Sequence, residues 1–150
     1  MDISYESIVN DAEGRALQKL RRTYHELSPA FFINMCRAGP DYFVSALNVP
    51  WARAVLAYTR GTLSGFCFTA EPKAVANRVF IEILYVGAAA KGDGAPLLAE
   101  SERNAMTDPR VQGRRHAFQV QSANDVATRF YERNGYKMWN RDSNILLKIC

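Results

Sequence analysis

The sequence predicts an α/β protein built around a mixed β-sheet. Helical periodicity alternates with strand-like apolar runs along the chain, and two of those runs form a hairpin. A glycine-rich turn joins a further strand to a helix. With 150 residues, 48% of them hydrophobic and 23% charged, the chain has the size and composition of a single globular domain over 1–150.

The first half of the chain is predicted to contain helices followed by a hairpin. Apolar residues recur at helical spacing from Asp11 to Leu27, and a second helix is expected at about 40–47. Segments 51–60 and 63–71 have the composition of strands and are joined at Gly61. This order places helices before the first strand.

The second half alternates strands and helices. A loop from Glu71 to Asn77 leads to a strand at 78–86, and a helix follows at about 95–106. Asn124 is placed to cap another helix. The apolar stripe of that helix consists of Val126, Ala127, Phe130 and Tyr131, and the remaining predicted strands are 114–121, 136–140 and 144–150.

Composition and charge narrow the range of partners. The net charge of +4 suits an anionic ligand, but the basic residues are scattered, which argues against nucleic acid. No apolar run is long enough to cross a membrane, and the polar residues 1–6 do not resemble a signal peptide. The three distant cysteines, Cys36, Cys67 and Cys150, suit the reducing cytoplasm. The two histidines lack ligand spacing, so no metal is expected.

Glu82 interrupts the apolar strand at 78–86. Strand geometry places it on one face with Phe80, Leu84 and Val86. A carboxylate there must pair, coordinate or face a cleft, because an isolated buried charge is too costly. Partial desolvation would raise its pKa and favour proton abstraction near neutral pH. The alternative is a structural glutamate paired with an arginine such as Arg78.

Gly92 and Gly94 lie directly before a predicted helix. Backbone N–H groups of such a turn and the positive end of a helix can together bind a phosphate. A plain strand-to-helix connection is the alternative, since glycine is common in loops. The turn lacks the Gly-Lys-Ser/Thr of a P-loop, and Leu97 occupies the position of the third glycine in a Rossmann fingerprint.

Two motifs in this region resemble those of the GNAT superfamily of acetyl-CoA-dependent N-acetyltransferases. The first is an apolar strand followed by Lys91-Gly92-Asp93-Gly94-Ala95-Pro96 and a helix. The second is made of Asn124, Ala127, Phe130, Tyr131, Glu132, Gly135 and Tyr136. The resemblance covers residues 51–140, and it implies a mostly antiparallel sheet with helices on both faces.

Two residues depart from the family pattern. Lys91 replaces the usual Gln or Arg, keeping a positive charge without the planar fork of arginine. Pro96 replaces Gly or Ala, which suits the first turn of a helix but removes one N–H group from the anion site. Both departures bear on the affinity for acetyl-CoA.

The resemblance implies roles for individual residues. Glu82 is expected to be the base, Tyr131 to protonate the departing thiolate, and the N–H of Leu84 to stabilise the oxyanion. The alternative role of Tyr131 is that of a core aromatic. Cys67 is expected to be a buried structural thiol, and an acyl-carrying nucleophile is the alternative. The residues expected to bind acetyl-CoA are Leu84, Tyr85, Val86, Lys91, Gly92, Asp93, Gly94, Ala95, Pro96, Leu97, Asn124, Ala127 and Tyr131.

The predicted function is therefore acetyl transfer from acetyl-CoA, as co-substrate, to a primary amine. A small-molecule amine or a polyamine is the favoured acceptor. One alternative is a non-catalytic acyl-CoA sensor. The other is an acetyltransferase that acts on a protein lysine, a protein N-terminus or an aminoacyl-tRNA. The sequence leaves the identity of the acceptor and a homodimer open.

Overall fold

The computed structural model describes residues 2–9, 53–88, 92–122 and 124–150. The helices expected at 11–27 and 40–47, and Lys91, lie outside these ranges. In the described ranges no helix is long and apolar enough to cross a membrane. The elements are β1 (Ile3–Val9), β2 (Arg53–Thr59), β3 (Thr62–Thr69), β4 (Lys73–Val75), β5 (Arg78–Ala88), α1 (Gly94–Met106), β6 (His116–Gln121), α2 (Asp125–Arg133), β7 (Lys137–Asn140) and β8 (Ile145–Ile149).

The strands form one mixed, mostly antiparallel sheet, as predicted. Its order is β1-β2-β3-β5-β6-β8-β7, and β4 pairs with β5 outside this path. Only β5 and β6 are parallel among the described pairs. The predicted hairpin between β2 and β3 is confirmed. Its turn residues, Arg60 and Gly61, both have positive φ, 51° and 80°, as a tight hairpin turn requires.

Two short strands were not predicted. Residues Ile3–Val9 form β1 on the edge of the sheet, so a strand and not a helix comes first. Tyr5 of β1 is partly buried and packs against the core cluster. Lys73–Val75 form β4 within the expected loop. Its exposed side chains provide no hydrophobic signal, and the pairing depends on a turn in which Ala76 has a φ of 53°.

One core cluster lies between one face of the sheet and the two helices, whereas Leu56, Phe66 and Phe68 are buried on the other face. Buried side chains of the sheet, including Val55, Ile81 and Val120, form one cluster with Leu97 of α1 and Tyr131 of α2. The predicted apolar stripe of α2 is only partly right, because Val126 is 68% exposed. Both described helices therefore lie on the same face, and the opposite face is available around Glu82.

Candidate active site

A gap opens where β5 and β6 diverge. Their pairing ends at Ile83 and Val120, although β5 continues beside β3 as far as Ala88. Gln121, the last residue of β6, pairs only with β8 among the described residues. Beyond the last pair, the two strands lead to the N-termini of α1 and α2. Beyond Ile83 and Val120, no backbone pairing joins β5 to β6 among the described residues.

A β-bulge in β5 lies at the start of this gap. Thr69 of β3 is opposite Ile83, but the preceding residue, Phe68, is opposite Tyr85, so Leu84 has no residue opposite it. The extra residue reverses the alternation of the strand. Glu82 directs its carbonyl towards β3, where it accepts a hydrogen bond from the Ala70 N–H at 2.9 Å. Beyond the bulge, the backbone of Val86 is therefore turned towards the gap.

The bulge also corrects the predicted set of residues around Glu82. Val86 is opposite Cys67 and packs against the core cluster, on the face that α1 covers. Glu82 lies on the other face with Phe80, so Val86 does not share its face as expected. An extra residue in a strand moves every later side chain to the opposite face.

The glycine turn joins the gap to α1. Gly92 has a φ of 93°, a conformation that L side chains rarely adopt. Asp93 occupies the N-cap but accepts no side-chain hydrogen bond from the helix. The N–H groups of Gly94 and Ala95 are therefore not capped by that side chain, whereas Pro96 has none. This end of α1 can bind an anion, although the charge of Asp93 opposes one.

Leu97 and Gly94 have structural roles as well as their predicted ones. The Leu97 side chain is buried in the core, and its N–H donates to the Asp93 carbonyl at 3.4 Å. A Cβ at Gly94 would lie 3.3 Å from the ring of Phe130. A side chain at position 94 would therefore disturb the contact between α1 and α2 in addition to any anion.

Asn124 caps α2 as predicted. Its Oδ1 accepts a hydrogen bond from the Ala127 N–H at 2.9 Å, and Asp125 adds a negative charge to the first turn. Both the cap oxygen and the Ala127 N–H are occupied by this contact. Their expected contacts with a cofactor arm would have to use other atoms of the two residues.

Tyr131 is held in place by aromatic contacts. Its ring centroid lies 5.2 Å from that of Phe130 and 5.5 Å from that of Tyr136, both in edge-to-face geometry. Burial raises the pKa of Tyr131 above its usual range, so the phenol stays protonated at neutral pH. Its hydroxyl has no hydrogen-bond partner within the described ranges. The side chain is thus both a core aromatic and an uncommitted proton donor.

Cys67 is a buried structural thiol, as the sequence suggested. It is fully buried beneath α1, and burial raises the pKa of Cys67 to about 12. A nucleophilic cysteine needs the thiolate, which this environment suppresses. The interpretation of Cys67 as an acyl carrier therefore has no support from its surroundings.

A cavity of about 500 Å³ lies on the face of the sheet opposite the helices. Glu82 borders it and is exposed, so its carboxylate faces a cleft and is not desolvated by burial. No hydrogen bond or ion pair joins the Glu82 carboxylate to Arg78 or to another residue in the described parts of the chain. The other lining residues are Ala70, Glu71, Lys73, Val75, Arg78, Phe80, Gln119, Trp139, Leu147 and Ile149.

The predicted catalytic residues are distributed over both faces of the sheet. Glu82 and Tyr131 lie on opposite faces of the sheet, and Leu84 and Val86 lie along the edge between them. The cavity walls from β6, β7 and β8 were not predicted from the sequence, because the pairing of distant strands carries no local signal. Strand alternation was sufficient to predict that Arg78 lies on the same face as Glu82, since residues 78, 80 and 82 fall on one face.

Solved structures of several acetyltransferases are similar to this fold. PaiA N-acetyltransferase from Thermoplasma acidophilum, in complex with coenzyme A, has a TM-score of 0.54 and 19% identity, covering 98% of this chain and 99% of that one. The catalytic domain of Tetrahymena GCN5 histone acetyltransferase, in complex with coenzyme A, has a TM-score of 0.59 and 13% identity over 99% and 92%. An aminoglycoside acetyltransferase from an uncultured soil metagenomic sample has a TM-score of 0.57 and 15% identity over 89% and 87%.

These matches show that the chain has the GNAT fold. At identities of 13–19%, the likeness concerns the backbone arrangement. No protein-family model and no curated protein matches the sequence.

Proposed function

We propose that this protein transfers the acetyl group of acetyl-CoA directly to the primary amine of a small molecule. The observation that carries the proposal is the divergence of β5 and β6, which begins just after Glu82 at the cavity, while β5 leads on to the N-terminus of α1, where the N-cap makes no side-chain hydrogen bond. A passage at this point would let two substrates approach each other from opposite faces of the sheet.

The residues along the gap suit coenzyme A. Pantetheine amides need backbone partners, and beyond the bulge Val86 turns its N–H and C=O into the gap. The pyrophosphate needs N–H donors and a positive helix end, which the residues after Gly92 supply at the start of α1. Acetyl-CoA, when bound, supplies an activated thioester. The neighbours PaiA and GCN5 were both crystallised with coenzyme A, which supports the same assignment here.

Glu82 is assigned to the acceptor. An amine arrives protonated at neutral pH and must lose a proton before it can attack a carbonyl carbon. The Glu82 carboxylate is exposed in the cavity and has no partner in the described parts of the chain, so it can bind the ammonium group and accept the proton, directly or through water. The N–H of Leu84, the bulged residue, is assigned to the oxyanion.

Tyr131 is assigned to the leaving group. When the carbon–sulfur bond breaks, the thiolate needs a proton or a strong hydrogen bond in a site that excludes water. The Tyr131 phenol keeps its proton at neutral pH and has no competing acceptor among the described residues. The rings of Phe130 and Tyr136 contact the Tyr131 ring edge-to-face and restrict it.

Release of free thiol from acetyl-CoA, screened over amines, amino acids, aminoglycosides and lysine peptides, tests the proposal. Glu82→Gln is expected to lower turnover by ~10²–10⁴-fold while the affinity for CoA changes little. Raising the pH should partly restore turnover, because more of the amine is then unprotonated. Glu132→Gln, on the exposed side of α2, is the matched control and should behave as the wild type.

The outcomes separate the alternatives. Calorimetric binding of CoA without thiol release for any amine would favour the non-catalytic sensor. Wild-type turnover of Glu82→Gln at neutral pH would reduce Glu82 to a structural residue. Acetylation of lysine peptides in preference to small amines would favour the protein acetyltransferase.

A further inference from the structure

The cavity beside Glu82 has more uncommitted positive charge than negative charge. Four charged residues line it: Glu71, Lys73, Arg78 and Glu82. Glu71 is already paired, since its Oε1 accepts from Arg110 at 2.6 Å. Among the described residues, Lys73, Arg78 and Glu82 have no ion-pair partner. A site built only for a polyamine would gain nothing from two cations in its wall.

Arg78 carries a specific sign of a missing acceptor. Its Nη1 is buried and has no hydrogen-bond partner within the described ranges. A guanidinium group has five N–H donors and cannot be deprotonated in proteins, so a buried nitrogen without an acceptor is unfavourable. A carboxylate satisfies this group best, because its two oxygens match the guanidinium fork.

We propose that the acceptor carries a carboxylate, bound by Arg78, in addition to the amine that Glu82 receives. This inference rests on the proposed acetyl transfer, and it replaces the polyamine expectation with an amino acid-like acceptor. Lys73, which is exposed, adds a weaker attraction for the same negative charge.

The spacing of the two charged residues restricts the acceptor further. Arg78 and Glu82 lie four residues apart on one face of β5, so their Cα atoms are roughly 13 Å apart. Because side chains of a strand stand roughly perpendicular to the sheet, the two charged groups are separated as well, and we place the amine and the carboxylate of the acceptor at opposite ends of the molecule. An α-amino acid, in which one carbon separates the two groups, does not span this distance.

The part of the cavity between the charges is apolar. Phe80 lies between Arg78 and Glu82 on the strand, and Leu147 adds to the wall. Four large hydrophobic side chains are exposed among the described residues, and three of them, Val75, Trp139 and Ile149, line this cavity. The acceptor is therefore an apolar chain or ring system with an amine at one end and a carboxylate at the other.

Three acceptors with the same number of carbons test the inference: ω-aminooctanoate, octylamine and α-aminooctanoate. We expect the wild type to acetylate ω-aminooctanoate with a kcat/KM roughly ten- to a hundredfold above that of the other two. Arg78→Gln should remove this preference by lowering the kcat/KM for ω-aminooctanoate to about that for octylamine. Arg114→Gln, an exposed arginine outside the cavity, should keep the preference.

The result separates this inference from the proposed function. Equal kcat/KM for ω-aminooctanoate and octylamine, or an unchanged preference in Arg78→Gln, would overturn the inference while acetyl transfer stands. Thiol release with none of the amines would overturn the proposed function. In that case calorimetry decides the inference: ω-aminooctanoate should bind the wild type and not Arg78→Gln, and equal binding to both would refute it.

Discussion

Two neighbouring tyrosines allow a sharp test of the proposed proton donor. Tyr131 and Tyr136 lie in one aromatic cluster, but their hydroxyl groups differ. The Tyr136 hydroxyl donates to Glu102 Oε2 at 2.7 Å, whereas that of Tyr131 has no partner within the described ranges. Substitution with phenylalanine should therefore lower turnover but hardly change stability at position 131, and it should lower stability but hardly change turnover at position 136.

The structure sets the expected magnitudes. Tyr131→Phe removes an unpaired hydroxyl, so the free energy of unfolding should change by less than about 1 kcal/mol. Tyr136→Phe removes a hydrogen bond to a carboxylate, worth about 1.5–3 kcal/mol. The lower end is expected, because Lys148 still donates to both oxygens of Glu102, at 3.0 and 3.1 Å. The corresponding fall in Tm is about 3–6 °C.

Turnover should show the reverse order. Tyr131→Phe is expected to lower thiol release by ~10²–10⁴-fold, and Tyr136→Phe to leave it within a few fold of the wild type. Thermal unfolding and thiol release are measured on the same preparations. Undiminished turnover of Tyr131→Phe, with chemistry rate-limiting, would refute the assignment. A loss of stability in Tyr131→Phe equal to that in Tyr136→Phe would show that its hydroxyl is paired.

Two further predictions concern the helix end and the acid stability. Asp93→Asn should tighten CoA binding a few fold in calorimetry, because it removes a negative charge beside the anion and the Asp93 side chain does not cap the helix. Asp125→Asn is the control. Weaker CoA binding by Asp93→Asn would contradict the assignment of this helix end to the pyrophosphate. Hydrogen bonds from Arg110 hold the pKa of Asp108 well below its usual range. The stability that the charged Asp108 contributes is therefore present above the unfolded pKa of about 3.9, and it is lost as the pH falls through the folded pKa. Asp108→Asn should therefore lower the free energy of unfolding by about 3 kcal/mol at neutral pH and by progressively less in strong acid. Urea titrations at several pH values measure this loss. An equal loss at every pH would show that the charge of Asp108 is not responsible.

Local patterns in the sequence determined much of this protein. The apolar run of β5, the glycines before α1 and the cap of α2 are each set by neighbouring residues, and all three occur where they were predicted. Asn124 and Gly135 bound α2 because side-chain capping and positive φ depend on a few residues only. The GNAT fold was predictable because both of its motifs are local and occur in order.

Tertiary structure decided the rest. The bulge at Leu84 depends on how β3 is aligned with β5, and this alignment moved Val86 to the core face. The cavity depends on the parallel pairing of β5 with β6 and on the addition of β8, which place Gln119 and Leu147 beside Glu82. Periodicity assigns a residue to a face of its own strand, but it contains no information on which distant strand lies alongside. The sequence therefore determined the glycine turn and the helix end assigned to acetyl-CoA, and only strand pairing determined the cavity assigned to the acceptor.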